Sequence, residues 1–191
     1  MDKSSTDDAL AKAMKAMQEG KHLSSRQRRL IREAGEGAID NFLRTVVGVS
    51  DPAEFTDQDE WRYLEFGSAK GVAFIDEAED VFYLHCEGDV MPVPSDQELI
   101  VPLYRELLEM NLGIPGTSRF AIHGDRVVII ATEELSVLRE DDEFARHIHA
   151  VMTCTDALDG DLIRKYGATT RKRPAGTARE RSSTWGRALP G

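Results

Sequence analysis

SDQELIVPLYRELLEMNLGIPGTSRFAIHGDRVVIIATEE, residues Ser95–Glu134, is the stretch from which the fold is read. Leu99, Leu103, Leu107 and Met110 recur at steps of four, four and three. That spacing places one apolar stripe along a helix, with Arg105, Glu106 and Glu109 on other faces. Asn111-Leu-Gly-Ile-Pro-Gly116 then ends the helix, because Gly suits a left-handed cap and Pro cannot continue the turn. Phe120-Ala-Ile122 and Val127–Ile130 follow as short runs of β-branched and aromatic residues with Gly124-Asp125 between them, which predicts a hairpin. A helix with one apolar stripe beside a hairpin must pack the two together or expose both. Pro102 complicates the helix: either Ser95–Val101 is a separate turn, or the helix is kinked there.

Upstream, Trp61–Phe66, Val72–Ile75 and Val81–Cys86 read as three strands of an antiparallel meander. The segments 67–71 and 76–80 are turn-like connectors. Alternation sends Leu64, Phe66, Phe82 and Leu84 toward the helices and leaves Trp61, Tyr63 and Tyr83 on the other face. Exposed aromatic residues gathered on a sheet mark a contact surface, so these three are the candidate partner-binding residues.

Before the meander, Ser25 caps a helix running to Arg44, lined by Leu30, Ala34, Ala38, Phe42 and Thr45 with Ile31 and Ile39 beside them. Gly35 and Gly37 weaken that helix by about 1 kcal/mol each relative to Ala. Arg26, Arg28 and Arg29 make a basic knot at its start. Residues 1–25 form an amphipathic leader carrying Leu10, Ala13, Met14 and Met17, which either docks or frays. Downstream of the hairpin, Phe144, Ile148, Val151, Thr155, Leu158 and Leu162 stripe a last helix over 140–164. The expected architecture is one α+β domain, residues 26–165, in the order α-βββ-α-ββ-α with an antiparallel sheet. Residues 166–191 form a basic tail that reads as disordered.

The 191 residues are 41% hydrophobic and 30% charged, which suits a soluble globular chain. No run of 18 apolar residues offers a membrane span, and the N-terminus lacks a secretory pattern. From Lys165 to Gly191 seven basic residues face one acid, so this end carries +6 and residues 1–164 carry −16 of the net −10. An acidic body is a poor general binder of nucleic acid; the tail predicts at most a weak, salt-sensitive affinity for polyanions. A nucleic-acid-associated regulator acting through that tail is the alternative function.

Chemistry is sparse. His147 and His149 point about 200° apart on a helix and cannot share one metal. His85 and Cys86 fall on opposite faces of their strand, and Cys86 and Cys154 are expected as reduced thiols in a cytoplasmic protein. Phosphate loop, G-x-S-x-G and C-x-x-C motifs do not occur. The sequence therefore predicts no catalysis, no metal and no cofactor.

Pro92-Val-Pro94, the Leu107-Leu108-Glu-Met-Asn111 helix end, the short Gly/Pro gap, Phe120-Ala-Ile122, the Gly124-Asp125 turn, Val127–Ala131 and the terminal helix together resemble the YbjN family. They also resemble its structural relatives, the class I (CesT/Tir-type) type III secretion chaperones. The likeness covers about residues 30–165. It implies a bacterial, non-catalytic α+β protein, commonly a homodimer, that binds another protein as a chaperone or adaptor.

Overall fold

The computed structural model describes residues 3–114, 116–137 and 141–167. Helix α1 (Lys3–Gln18) leads to α2 (Ser25–Phe42), which continues through a π-turn at Leu43–Val47. Strands β1 (Arg62–Phe66), β2 (Ala69–Ala78) and β3 (Val81–Pro92) follow, then α3 (Gln97–Met110), β4 (Arg119–His123), β5 (Arg126–Glu134) and α4 (Asp141–Tyr166). The five strands form one antiparallel sheet in the order β1-β2-β3-β5-β4. Residues 168–191, where a disordered basic tail is expected, lie outside the described residues.

All four helices feed one core. Leu64, Ile75, Phe82, Leu84, Cys86, Val127, Ile129 and Phe120 meet Ile31, Ile39 and Phe42 of α2, Leu103 and Leu107 of α3, and Ile148, Val151 and Met152 of α4. The leader docks: α1 buries Ala13 and Met17 in this same core, and Leu23 follows them. Helix α1 therefore gains from tertiary packing a stability that its 16 residues supply only marginally alone in water.

Several local expectations are corrected. Ser24, one residue earlier than expected, caps α2, accepting from Gln27 N while the Gln27 side chain accepts from Ser24 N at 3.0 Å. The buried stripe of α2 is Ile31, Gly35, Ala38, Ile39 and Phe42; Ala34 is exposed. Gly35 rotates the stripe, because a Cβ there would sit 2.8 Å from Ile75 Cδ1 and 3.0 Å from Leu135 Cδ1. Its missing side chain lets α2 close on the sheet. Helix α3 runs unbroken through Pro102. The proline and Glu98, whose carbonyl loses its helical donor, are both exposed, so that carbonyl faces water. Asp96 caps α3, and Asn111 closes it by accepting from Phe120 N at 2.7 Å.

Strands β2 and β3 are longer than expected, and the turns shrink accordingly. Glu79 and Asp80, both at positive φ, make the tight β2–β3 turn, and Gly67 makes the one before it. The second half of β3, Glu87-Gly88-Asp89, carries residues that read as turn-formers yet lies in the middle of the sheet. Gly88 is required there by α4: a Cβ would lie 3.0 Å from Thr155 Cβ and overlap the Thr155 hydroxyl. Thr155 is fully buried and donates to Val151 O at 2.8 Å, so it cannot move aside freely. Gly88→Ala is expected to lower stability by about 2 kcal/mol through overpacking. Urea unfolding monitored by circular dichroism checks this; an unchanged midpoint would contradict the described spacing of β3 and α4.

Candidate partner-binding surfaces

With the helices on one side, the other side of the sheet carries no helix among the described residues. Val72 and Val128 are buried yet stand apart from the main core cluster, because they face this second side. Trp61, Tyr63 and Tyr83 lie on it, half-buried, as alternation predicts. The Trp61 ring stacks on Phe74 with centroids 4.5 Å apart and planes 3° apart. Phe74 in turn meets the His85 ring at 4.7 Å, and His85 Nδ1 lies 3.0 Å from Thr132 Oγ1. The result is a transverse row, Trp61–Phe74–His85–Thr132, running from the residue before β1 across β2, β3 and β5. Such stacked rings present a flat, rigid apolar surface. Tyr63 is fixed by Asp57, which accepts from its hydroxyl at 2.7 Å and from Trp61 N at 3.0 Å. Tyr83 stands in a separate row, between Asp76 on β2 and Glu134 on β5.

Toward β4 the same face turns polar. Glu87 Oε2 lies 2.8 Å from His123 Nδ1, and Asp89 accepts from Arg126 Nε at 2.7 Å. Glu87 is 7% exposed, so the pairing satisfies a carboxylate that burial would otherwise penalise. Burial holds His85 below the usual imidazole range, and does the same to His147 at the start of α4. The Cys86 thiol points into the core and is pushed up by burial; so is that of half-buried Cys154. Among the described residues no three His, Cys, Asp or Glu side chains gather as metal ligands would.

A second surface lies on α3. Its inner stripe, Leu103 and Leu107, is buried, but Val101, Tyr104, Leu108 and Leu112 repeat at three, four and four on the outer side. Leu108 is 69% and Leu112 91% exposed. Ile122, on the adjoining edge strand β4, is exposed as well. An apolar ridge at helical spacing along an otherwise finished domain marks an interaction site. Sequence reasoning found the inner stripe and passed over the outer one, whose spacing was equally visible. It also passed over Phe74, which lies within the expected second strand but was assigned to neither face.

Two arginines of the basic knot, Arg28 and Arg29, and Arg32 beyond it are engaged in ion pairs within the chain. Arg28 pairs with Glu77 at 3.0 Å and with Asp80, Arg32 reaches Glu77 at 3.1 Å, and Arg29 pairs with Glu33 on its own helix. The Arg28 and Arg32 contacts clip α2 to the β2–β3 hairpin. No described helix is long and apolar enough to cross a membrane.

No family model matches the sequence, and no curated protein matches it. The chain is similar in structure to one in the crystal structure of the ExsC-ExsE complex, with a TM-score of 0.51 and 13% identity over 68% of this chain and 93% of that one. It is also similar to a chain of the heterodimeric ExoU-SpcU complex from the type III secretion system of Pseudomonas aeruginosa. There the TM-score is 0.43 and the identity 20%, over 64% of this chain and 95% of that one. The first likeness shows the fold. It is α+β, as in that chain of the ExsC-ExsE complex, with an antiparallel sheet built in the order α-βββ-α-ββ-α behind one additional N-terminal helix.

Proposed function

We propose that this chain is a non-catalytic, chaperone-like or adaptor protein of the YbjN kind, which holds a protein partner on the uncovered face of its sheet. The observation that carries the reading is the rigid aromatic row Trp61–Phe74–His85, with Tyr63 and Tyr83 beside it, on a face no described helix covers. An extended or helical segment laid across such a face gains apolar contact at little cost in side-chain ordering. A solved chain with the same fold forms a two-protein complex, which supports the reading. The non-catalytic part rests on the sealed thiol of Cys86 and on histidines engaged with Thr132, Glu87 and Thr117. The outer ridge of α3 is the proposed surface for pairing with a second copy.

Affinity capture from native lysate, read by mass spectrometry, tests the face. The variant Trp61→Ser/Tyr63→Ser/Tyr83→Ser is expected to lose the wild-type partners by more than tenfold while keeping its far-ultraviolet circular dichroism. Because Trp61→Ser also removes the stack on Phe74, a second variant, Tyr63→Ser/Tyr83→Ser, is run beside it. Unchanged capture by both would remove this face from the account. Turnover of a compound in an untargeted metabolite assay would overturn the non-catalytic reading.

A further inference from the structure

Among the described residues, the strands place five carboxylates on the uncovered face: Glu65, Asp76, Glu87, Asp89 and Glu134. Three are answered by a basic side chain: Glu65 by Lys70 at 3.3 Å, Glu87 by His123, and Asp89 by Arg126. Asp76 and Glu134 have no Lys or Arg partner among the described residues; Asp76 accepts only from Glu77 N at 2.8 Å, and Glu134 from the Ser136 hydroxyl. These two flank Tyr83 directly, since Asp76 pairs with Tyr83 on one side and Glu134 pairs with it on the other. Paired residues on adjacent antiparallel strands stand about 5 Å apart. The row therefore offers one aromatic ring between two uncompensated carboxylates, beside the stacked Trp61 and Phe74. A guanidinium is the group that fits, because it stacks on a ring and donates sideways to carboxylates at the same time.

The chain carries a segment of that chemistry. Residues 168–191 hold Arg171, Lys172, Arg173, Arg179, Arg181 and Arg187 against the single acid Glu180. They follow directly on α4, whose last turn is anchored by Lys165 and Tyr166 on Glu106 of α3. Two dozen residues can extend to about 80 Å, while a domain of this size spans roughly 40 Å, so the sheet face lies within reach. A tethered segment acts at an effective concentration on the order of millimolar, so weak contacts suffice to occupy the face.

We propose that residues 168–191 dock through their arginines on the Asp76–Tyr83–Glu134 row of the same chain and cover the aromatic face until a partner displaces them. This rests on reading that face as the partner surface, and it makes the basic segment an internal competitor. It also predicts the class of partner segment able to enter: one that brings its own arginine or lysine to the same row.

The test uses the full chain. Amide spectra of the wild type are compared with those of a chain carrying Arg171→Gln, Lys172→Gln, Arg173→Gln, Arg179→Gln, Arg181→Gln and Arg187→Gln. Differences are expected at Asp76, Tyr83, His85 and Glu134, and they should fade as salt rises from 50 to 500 mM. A labelled peptide of residues 168–191, added to the neutralised chain, should bind at least tenfold more weakly to that chain when it also carries Asp76→Asn and Glu134→Gln. Both changes remove the charge while keeping the shape and one acceptor oxygen, the other oxygen becoming an NH2 donor. Differences confined to α3 near Glu98 and Glu109, equal peptide binding with and without the two carboxylates, or engagement of duplex DNA or RNA at physiological salt without any effect on the face would each overturn the proposal. The two readings fail separately. Partner capture abolished by Tyr63→Ser/Tyr83→Ser without peptide binding leaves the face and removes the tail. Peptide binding with unchanged capture does the reverse.

Discussion

Arg62→Ala is expected to lower the stability of this protein by about 3 kcal/mol at neutral pH. Arg62 opens β1 and is 4% exposed, which is rare for a guanidinium. Its Nε donates to Asp40 at 3.1 Å, one Nη lies 3.8 Å from Glu36 and the other 3.5 Å from Glu60, and it also donates to Glu60 O at 2.6 Å. It thus neutralises two α2 carboxylates against the sheet. Burial already pushes the Glu36 carboxyl above its usual range, with Arg62 pulling the other way. Without Arg62, Glu36 and Asp40 face each other across a poorly hydrated gap. The loss falls below the upper end for buried pairs because both acids keep some water. A carboxyl raised on folding contributes stability at pH below its unfolded value and loses it as pH rises. The deficit of the variant should therefore narrow as pH falls, because the raised Glu36 carboxyl takes up its proton ahead of an ordinary carboxylate. Urea titrations at pH 7.5 and 5 measure both effects; a deficit under 1 kcal/mol, or one that widens at pH 5, would contradict this account of Arg62.

Leu108→Glu combined with Val101→Glu is expected to turn a dimer into a folded monomer. The outer ridge of α3 is the proposed pairing surface: Val101, Tyr104, Leu108 and Leu112 are exposed on one side, and Leu103 and Leu107 on the other anchor the helix independently. The substituted side chains are exposed in the single chain, so the domain itself should lose less than about 0.5 kcal/mol. In a dimer, the same glutamates would be desolvated opposite their own copies across a two-fold axis, since every contact there is made twice. A shift in Kd of a thousandfold or more follows. Light scattering over a concentration series reads it. A monomeric wild type, or a variant that still dimerises, would remove α3 as the pairing surface.

Where each contact partner lies near in sequence, the fold was legible. The stripes of α3 and α4 and the β4–β5 hairpin could be read from periodicity because one face of each element does the burying. The faces of β1 and β3 were legible for the same reason, and with them the placement of Trp61, Tyr63 and Tyr83. What escaped depends on distant partners. Gly35 looks like a helix weakener until Ile75 and Leu135 are brought against it. Glu87-Gly88-Asp89 falls outside the expected third strand, and only His123, Thr155 and Arg126, arriving from β4, α4 and β5, account for its place in the sheet. The position of β5 beside β3, with β4 at the edge, is fixed by pairing that chain order leaves open.

Contact at the sheet face can be seen directly by placing a photo-crosslinking amino acid at Tyr63 or Tyr83 of the full chain in its native cells. Lys12, exposed on α1, serves as the control position. Irradiation is expected to give, from Tyr63 and Tyr83 and not from Lys12, a discrete adduct with a different protein. Absence of any adduct from the face, or the same adducts from all three positions, would contradict a partner held on the uncovered side of the sheet.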